Sequence, residues 1–461
     1  MSVQGKEILT FVVASVLTLA VSLPVIRYFA PQLIGLPMDL QMVQVAAEVP
    51  PYFENVFRDE DFDGDGFIIQ DPYIQRARPL FLDGGFWGPH DLLGFRNPSI
   101  PAVADVITLG DSMTYGMGTV VSQTWPRRLE DGLAGKRAKV YNMSLGGWGA
   151  AEYLNILPRA LRFRPRVVVV AFYTGNDPRD TFSRVYSRPD LAHLRLDPDM
   201  QRSDLPPVTY PAPKSEHWEA TFQDGTSTVF TAKVRHGANL DHPSLDVAYE
   251  IMAEVARRIQ NTAAEAGAQA VFTVLPTKEQ VLAPRLAAEG ITAPDDFQAL
   301  VRDEKRHLDT FAERLRAIPD AVYVDMVTPL QLAALDSIDI YPPDFDGHPT
   351  ASGHRVIQET LQPAVDALLP AALDGVVRVV YEEDEKKEVY SKRVLIRGDG
   401  ERLFRFLLVR DGKLWRFRDR QVFEANGWSL DGLPSVTSRD VAGLPYGGTV
   451  DTVEPARFGP R

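Results

Sequence analysis

From Asp105 onward, short apolar runs rich in β-branched residues alternate with amphipathic stretches. Val106 to Leu109, Lys139 to Met143, Arg166 to Tyr173, Ala270 to Leu275 and Val322 to Met326 read as strands. Trp125 to Leu133, Ala150 to Arg162, Leu245 to Ala266, further stretches reaching Ile318, and about Ala351 to Leu369 carry helical spacing. Strands with hardly a polar position, interleaved with helices, predict a parallel sheet covered on both faces, a three-layer α/β/α arrangement. In such sheets chemistry gathers beyond the carboxyl ends of the strands.

The pattern also divides the chain, with the α/β region expected over residues 102–372. Pro178 to Ser244 interrupts the alternation with many Pro, Asp and Arg residues, and reads either as a cover over a substrate or as a solvated insertion. Beyond residue 373 the style changes to Val376 to Tyr381, Val389 to Ile396, Leu403 to Val409 and Leu414 to Phe417. Gly398-Asp399-Gly400 and Asp411-Gly412 punctuate these runs as hairpin turns, so residues 373–461 are expected to form a small antiparallel β module. The Arg397-Gly398-Asp399 tripeptide is explained by that hairpin.

At the other end, Ile8 to Ile26 is a nearly unbroken apolar run between Lys6 and Arg27. A helix needs about 20 such residues to cross a bilayer, so residues 1–28 are expected to be a transmembrane anchor. A cleaved signal peptide, with Ala20-Val21-Ser22 as its site, is the alternative. The preferred orientation puts the amino terminus in the cytoplasm and the body outside it, in the periplasm of a bacterial cell. Residues 29–101, rich in Pro, Asp and aromatics, read as a neck packed on the α/β domain.

Composition narrows the chemistry. With 461 residues and a formal net charge of -13, the chain has no extended basic patch, which argues against a nucleic-acid partner. It contains no cysteine, which excludes disulfides, thiolate metal sites and a cysteine nucleophile. Asp61, Asp63 and Asp65, with Gly66, match the opening of a calcium loop, but the position for its bidentate Glu holds Pro72. The segment therefore reads as a structural calcium loop or a plain acidic turn.

Four polar clusters fall at the ends of predicted strands. The first is Gly110-Asp111-Ser112, where a serine leaves the sheet edge beside backbone amides able to face an oxyanion. The second is Asn142 to Gly149, whose glycines allow close backbone approach to a ligand. The third is Gly175-Asn176-Asp177, and the fourth is Asp344-Phe345-Asp346-Gly347-His348 before the last helix. No Gly-x-Ser-x-Gly elbow is present.

In these four blocks, in this order, the chain resembles the SGNH hydrolase superfamily (GDSL-like lipases and esterases), in particular its membrane-anchored bacterial members. The resemblance runs from about Asp105 to Leu369 and implies a three-layer SGNH, flavodoxin-like fold. It implies Ser112 as nucleophile and His348 as general base. The amides of Ser112 and Gly147 and the side chain of Asn176 would then form the oxyanion hole, with no cofactor. Many members carry Asp three residues before the histidine; here that residue is Phe345. The closer spacing used by some membrane- and polysaccharide-associated relatives selects Asp346, with Asp344 in reserve.

Four other residues bear on the site. His354 caps or packs the last helix rather than catalysing. Trp148 is either a sugar-stacking surface or a wall of the core. Lys278 and Glu279, after the fourth strand, either face the pocket or pair with each other at a helix start. The expected activity is hydrolysis of a small acyl ester, such as acetyl groups on carbohydrate, through an acyl-serine. An O-acyltransferase of an extracytoplasmic polysaccharide, using the same residues, is the alternative. A tethered, inactive binding protein is the reading from another class.

Overall fold

The computed structural model describes residues 68–70, 75–77, 88–101, 103–208, 213–239, 241–371, 375–380, 406–429, 433–437, 440–441 and 444–460. The apolar run Ile8–Ile26 and the acidic segment Asp61–Asp65 lie outside them. No helix among the described residues is long and apolar enough to cross a membrane.

A two-stranded ribbon, β1 (Ile68–Gln70) and β2 (Gln75–Ala77), precedes the central sheet. That sheet consists of β3 (Val106–Gly110), β4 (Val140–Asn142), β5 (Val167–Tyr173), β8 (Gln269–Leu275) and β9 (Val322–Val324). They are all parallel, in the order β4-β3-β5-β8-β9. The chain winds outward from β3 to β4 and then back across β3 to β5, so the carboxyl ends of β3 and β5 flank the reversal point where open α/β sheets bind ligands.

β5 shows why the sequence forms this sheet. All seven of its residues are buried, and they divide by parity between two cores. Val168, Val170 and Phe172 pack with α3 (Ala150–Ala160) and α6 (Pro243–Glu265), while Val167, Val169, Ala171 and Tyr173 pack with α2 (Trp125–Gly132), α7 (Lys278–Ala288) and α10 (Ala351–Leu368). A strand apolar on both faces is stable only between two layers of helix, which is the three-layer arrangement expected from the sequence.

The Pro178 to Ser244 interruption is more structured than its composition suggested. Its first residues belong to α4 (Asp177–Ser187), in which Pro178 sits in the first turn, where a missing N–H costs nothing. A hairpin of β6 (Trp218–Thr221) and β7 (Ser227–Phe230) and the helix α5 (Ala232–Asn239) follow. Phe230 stacks on Trp218 and meets Phe297 edge-on, which anchors the hairpin to α8 (Asp295–Arg316).

The C-terminal sheet has the order β13-β10-β11-β12-β14, formed by Gly375–Val380 (β10), Phe406–Arg410 (β11), Lys413–Phe417 (β12), Ser435–Thr437 (β13) and Tyr446–Val450 (β14). Its three central strands are antiparallel as expected, but both edge strands are parallel to their neighbours, making the sheet mixed. The β11–β12 turn is Asp411-Gly412, with φ of 52° and 73°, as a two-residue primed turn requires. The Gly398–Gly400 turn lies outside the described residues.

One buried carboxyl joins α8 to the sheet edge. Glu304 accepts hydrogen bonds from Thr174 Oγ1 (2.5 Å), Thr277 N (2.8 Å) and Thr277 Oγ1 (2.5 Å), at the ends of β5 and β8. Burial outweighs these bonds and pushes its carboxyl up to about 7. The native state therefore holds this proton where the unfolded chain has lost it, and Glu304 makes stability fall as pH rises from its ordinary value toward about 7. Glu304→Gln should remove that component. In urea unfolding, the stability of the variant relative to the native chain should improve between acidic and mildly alkaline pH; an unchanged or worsening difference would contradict this placement of the charge.

Candidate active site

β3 ends at Gly110 and the chain turns at once. A Cβ on Gly110 would come within 2.1 Å of Thr114 Oγ1 and 3.0 Å of the Ala171 carbonyl, so only glycine lets the turn close against β5. Asp111, fully buried, caps the one-turn helix α1 (Ser112–Tyr115) by accepting from Met113 N at 2.9 Å. This delivers Ser112 to the sheet edge, 8% exposed.

Ser112 Oγ lies 2.8 Å from His348 Nε2, and His348 Nδ1 lies 2.6 Å from Asp346 Oδ1. A carboxylate only accepts, so Nδ1 donates to Asp346 and the neutral ring keeps Nε2 as acceptor for the serine hydroxyl. Asp111 Oδ2, at 3.4 Å, is a much weaker partner for that hydroxyl. The same Asp346 oxygen accepts from the backbone N of His348 at 3.0 Å, so a two-residue spacing fixes both the ring and the main chain of His348. Burial opposes the charge on Asp346, but the hydrogen bond and charge of His348, with help from Arg235, hold its carboxyl below the usual range. It is the ionised member of the group.

The reserve residue Asp344 does something else. Its Oδ1 accepts from Asp346 N at 2.9 Å, and among the described residues it makes no hydrogen bond to His348. Phe345, three before His348, is 45% exposed and lies against the His217 ring, with centroids 5.4 Å apart.

The two other blocks end on neighbouring strands. Trp148 N donates to the Leu145 carbonyl at 3.3 Å, closing a turn in which Gly147 has φ of 77°. Such a type II turn needs glycine at its third residue and leaves that residue's amide on the outside. Among the described residues, neither the Ser112 amide nor the Gly147 amide donates to a protein acceptor. Asn176 stands at the first position before α4, just past the end of β5, and one N–H of its side chain donates to Asp180 Oδ2 at 2.8 Å. Burial pushes the Asp180 carboxyl up to about 7, and the Asn176 bond opposes that shift. Asp177, accepting from Tyr153 Oη (2.8 Å) and Tyr173 N (2.9 Å), is driven well above the ordinary range by burial.

Other positions fall into place. Trp148 is 1% exposed and packs edge-on to Phe95, so it is a wall of the core and offers no stacking surface. His354 is fully buried inside α10, accepts from Trp125 N at 3.3 Å, and is kept neutral by burial, which lowers it to about 3. Lys278 and Glu279 do not form the helix-start pair with each other. Glu279 accepts from Thr231 N at 3.1 Å, tying down the start of α5, and Lys278 reaches into the segment before His348. Arg96, 3% exposed, shapes the loop behind Ser112 by donating to the carbonyls of Gly116 (2.6 Å) and Thr119 (2.9 Å). Sequence reading missed Arg96, Asp180 and Arg235, whose partners are remote or unmarked by a motif. Among the described residues no cluster of side chains is arranged to hold a metal ion.

A three-layer α/β/α fold with Ser, His and Asp hydrogen-bonded in series at the reversal point of its sheet defines the architecture of the small serine hydrolases. The sequence model of the GDSL-like lipase/acylhydrolase family matches residues 108–356, and the chain belongs to that family. Among solved structures it is similar to LAE5, an alpha/beta hydrolase enzyme from the metagenome of Lake Arreo, Spain, at 13% identity over 58% of this chain and 98% of that one, with a TM-score of 0.33. It is also similar to a catalytic mutant of Axe2, an acetylxylan esterase from Geobacillus stearothermophilus, at 10% identity over 60% of this chain and 99% of that one, with a TM-score of 0.33. A third is the psychrotrophic esterase EstA from Pseudoalteromonas sp. (11%, 57% and 98%, TM-score 0.30). No curated protein sequence matches the chain.

The geometry makes a spectroscopic prediction. The short bond from His348 Nδ1 to Asp346 should give a strongly downfield imidazole proton in the NMR spectrum. Asp346→Asn should abolish it and Asp344→Asn should retain it; the reverse pattern would assign the partner to Asp344.

Proposed function

We propose that the protein is a serine esterase that cleaves small acyl esters through an acyl-Ser112 intermediate. The observation that carries this reading is the unbroken chain Ser112 Oγ to His348 Nε2 (2.8 Å) and His348 Nδ1 to Asp346 (2.6 Å). His348 takes the hydroxyl proton as Ser112 Oγ bonds to the ester carbonyl carbon, and ionised Asp346 stabilises the imidazolium. The carbonyl oxygen becomes an oxyanion facing the amides of Ser112 and Gly147 and the second N–H of Asn176. Such donors contribute about 3 kcal/mol each where they have been removed singly. Collapse expels the alcohol, which leaves with the proton from His348. Water then enters by the same route in reverse, releasing the acid and restoring Ser112.

Carbohydrate-borne acetyl groups are the substrate we favour. The apolar run Ile8–Ile26 would act as a membrane anchor holding the site outside the cytoplasm, where cell-surface polysaccharide is found. In an O-acyltransferase a sugar hydroxyl would replace water in the second step, with the same residues.

Ser112→Ala and His348→Ala should each lower turnover of p-nitrophenyl acetate by about 10³-fold or more and leave the melting temperature nearly unchanged. Asp346→Asn should be strongly impaired as well, and turnover should fall as the acyl chain lengthens. Activity surviving in Ser112→Ala would end this reading. Product analysis with and without an oligosaccharide acceptor separates hydrolysis from transfer.

A further inference from the structure

The segment Pro342–His348 carries both Asp346 and His348, yet it has no regular secondary structure. It is held from outside, chiefly by one side chain. Lys278, in the first turn of α7, is 2% exposed, and its Nζ donates to the carbonyls of Pro342 (2.8 Å), Asp344 (2.6 Å) and Asp346 (3.3 Å). An ammonium has three N–H groups, and here all of them are used on alternate residues of this one segment. Among the described residues Lys278 makes no ion pair, and the hydrogen bonds of its buried ammonium all go to main-chain carbonyls. The Pro178–Ser244 insertion also holds this segment. Val229 N donates to the Pro343 carbonyl at 3.1 Å and Thr228 Oγ1 to that of Pro342 at 3.4 Å.

Turning the carbonyls of residues 342, 344 and 346 toward one point fixes the main-chain conformation from which the Asp346 side chain reaches His348. We infer that Lys278 is a positioning residue of the catalytic site, holding the Asp346–His348 segment in register with Ser112. This rests on the serine-esterase reading and adds to it a residue that no spacing rule in the sequence marks. It also gives the insertion a buttressing role beside the triad.

The charge on Lys278 makes the arrangement sensitive to pH. Burial pulls its ammonium down to about 8. Glu279 on its own helix and Asp344 and Asp346 in the segment oppose that shift, while Arg235 on α5 adds to it; the ring of Phe230, 5.9 Å away, is the nearest aromatic face. Loss of the proton removes one of the three donors and loosens the segment.

The test measures kcat and KM for p-nitrophenyl acetate from about pH 6 to about pH 10 in the full chain, Lys278→Met, Lys278→Gln and Ser112→Ala, with thermal melts of each. A displacement of about 1 Å at a reacting group costs about 10²-fold, so Lys278→Met should lose at least about tenfold in kcat with KM changed less than about threefold. Lys278→Gln, which keeps a neutral donor, should fall between. The native enzyme should lose kcat above about pH 8, and that alkaline fall should be absent from both lysine variants. Folded variants with kcat within about twofold of native, or with the same alkaline fall, overturn the inference. If neither variant folds, the native profile decides: kcat level up to about pH 10 overturns it. Turnover surviving in Ser112→Ala removes the esterase reading and this inference together, whereas loss in Ser112→Ala with full activity in Lys278→Met removes this inference alone.

Discussion

A parallel sheet buried on both faces can display polar chemistry only where its strands end, and the rest of this structure follows from that constraint. All seven residues of β5 are buried, and β3 is equally closed. Ser112, Gly147, Asn176 and His348 therefore come from segments that leave the sheet at its carboxyl edge, and the reversal between β3 and β5 gathers the first of them. The glycine at position 110 and the cap at Asp111 are what such an abrupt exit from β3 requires.

The same edge sorts carboxyl groups by environment. Asp111 and Asp180, pushed by burial to about 6 and about 7, and Asp177, driven higher still, act as anchors that accept hydrogen bonds from amides and hydroxyls. Asp346, partly exposed and bonded to His348, is the one held below its ordinary range. The carboxylate held below its ordinary range is thus the one placed to balance an imidazolium, while its neighbours shape the backbone around it.

How much of this was legible depended on whether the determining contacts were local. The strand-to-turn exits could be read because apolar runs and the residues after them are contiguous. The choice between Asp346 and Asp344 stayed open because it turns on one main-chain conformation, in which a single Asp346 oxygen binds both the amide and the ring of His348. Lys278 has two readings in the sequence because its partners lie 64 to 68 residues away and are backbone carbonyls, which leave no mark there. In the Pro178 to Ser244 stretch, Pro178 stands in the first turn of a helix, a place that composition alone does not mark. Trp148 was ambiguous because a tryptophan beside a glycine turn can face either way; here it faces the core. The parallel edge strands of the C-terminal sheet were hidden for the reason that hid Lys278: their pairing is not between neighbours in the chain.

The claim on which the account depends is that Ser112 becomes acylated. Rapid mixing with p-nitrophenyl acetate, acid quenching and peptide mass mapping would test it directly. The account predicts an acetyl group on the peptide carrying Ser112, absent in Ser112→Ala and accumulating far more slowly in His348→Ala. Ester turnover by the native chain with no acylated serine, or with the acetyl group on another residue, would contradict it.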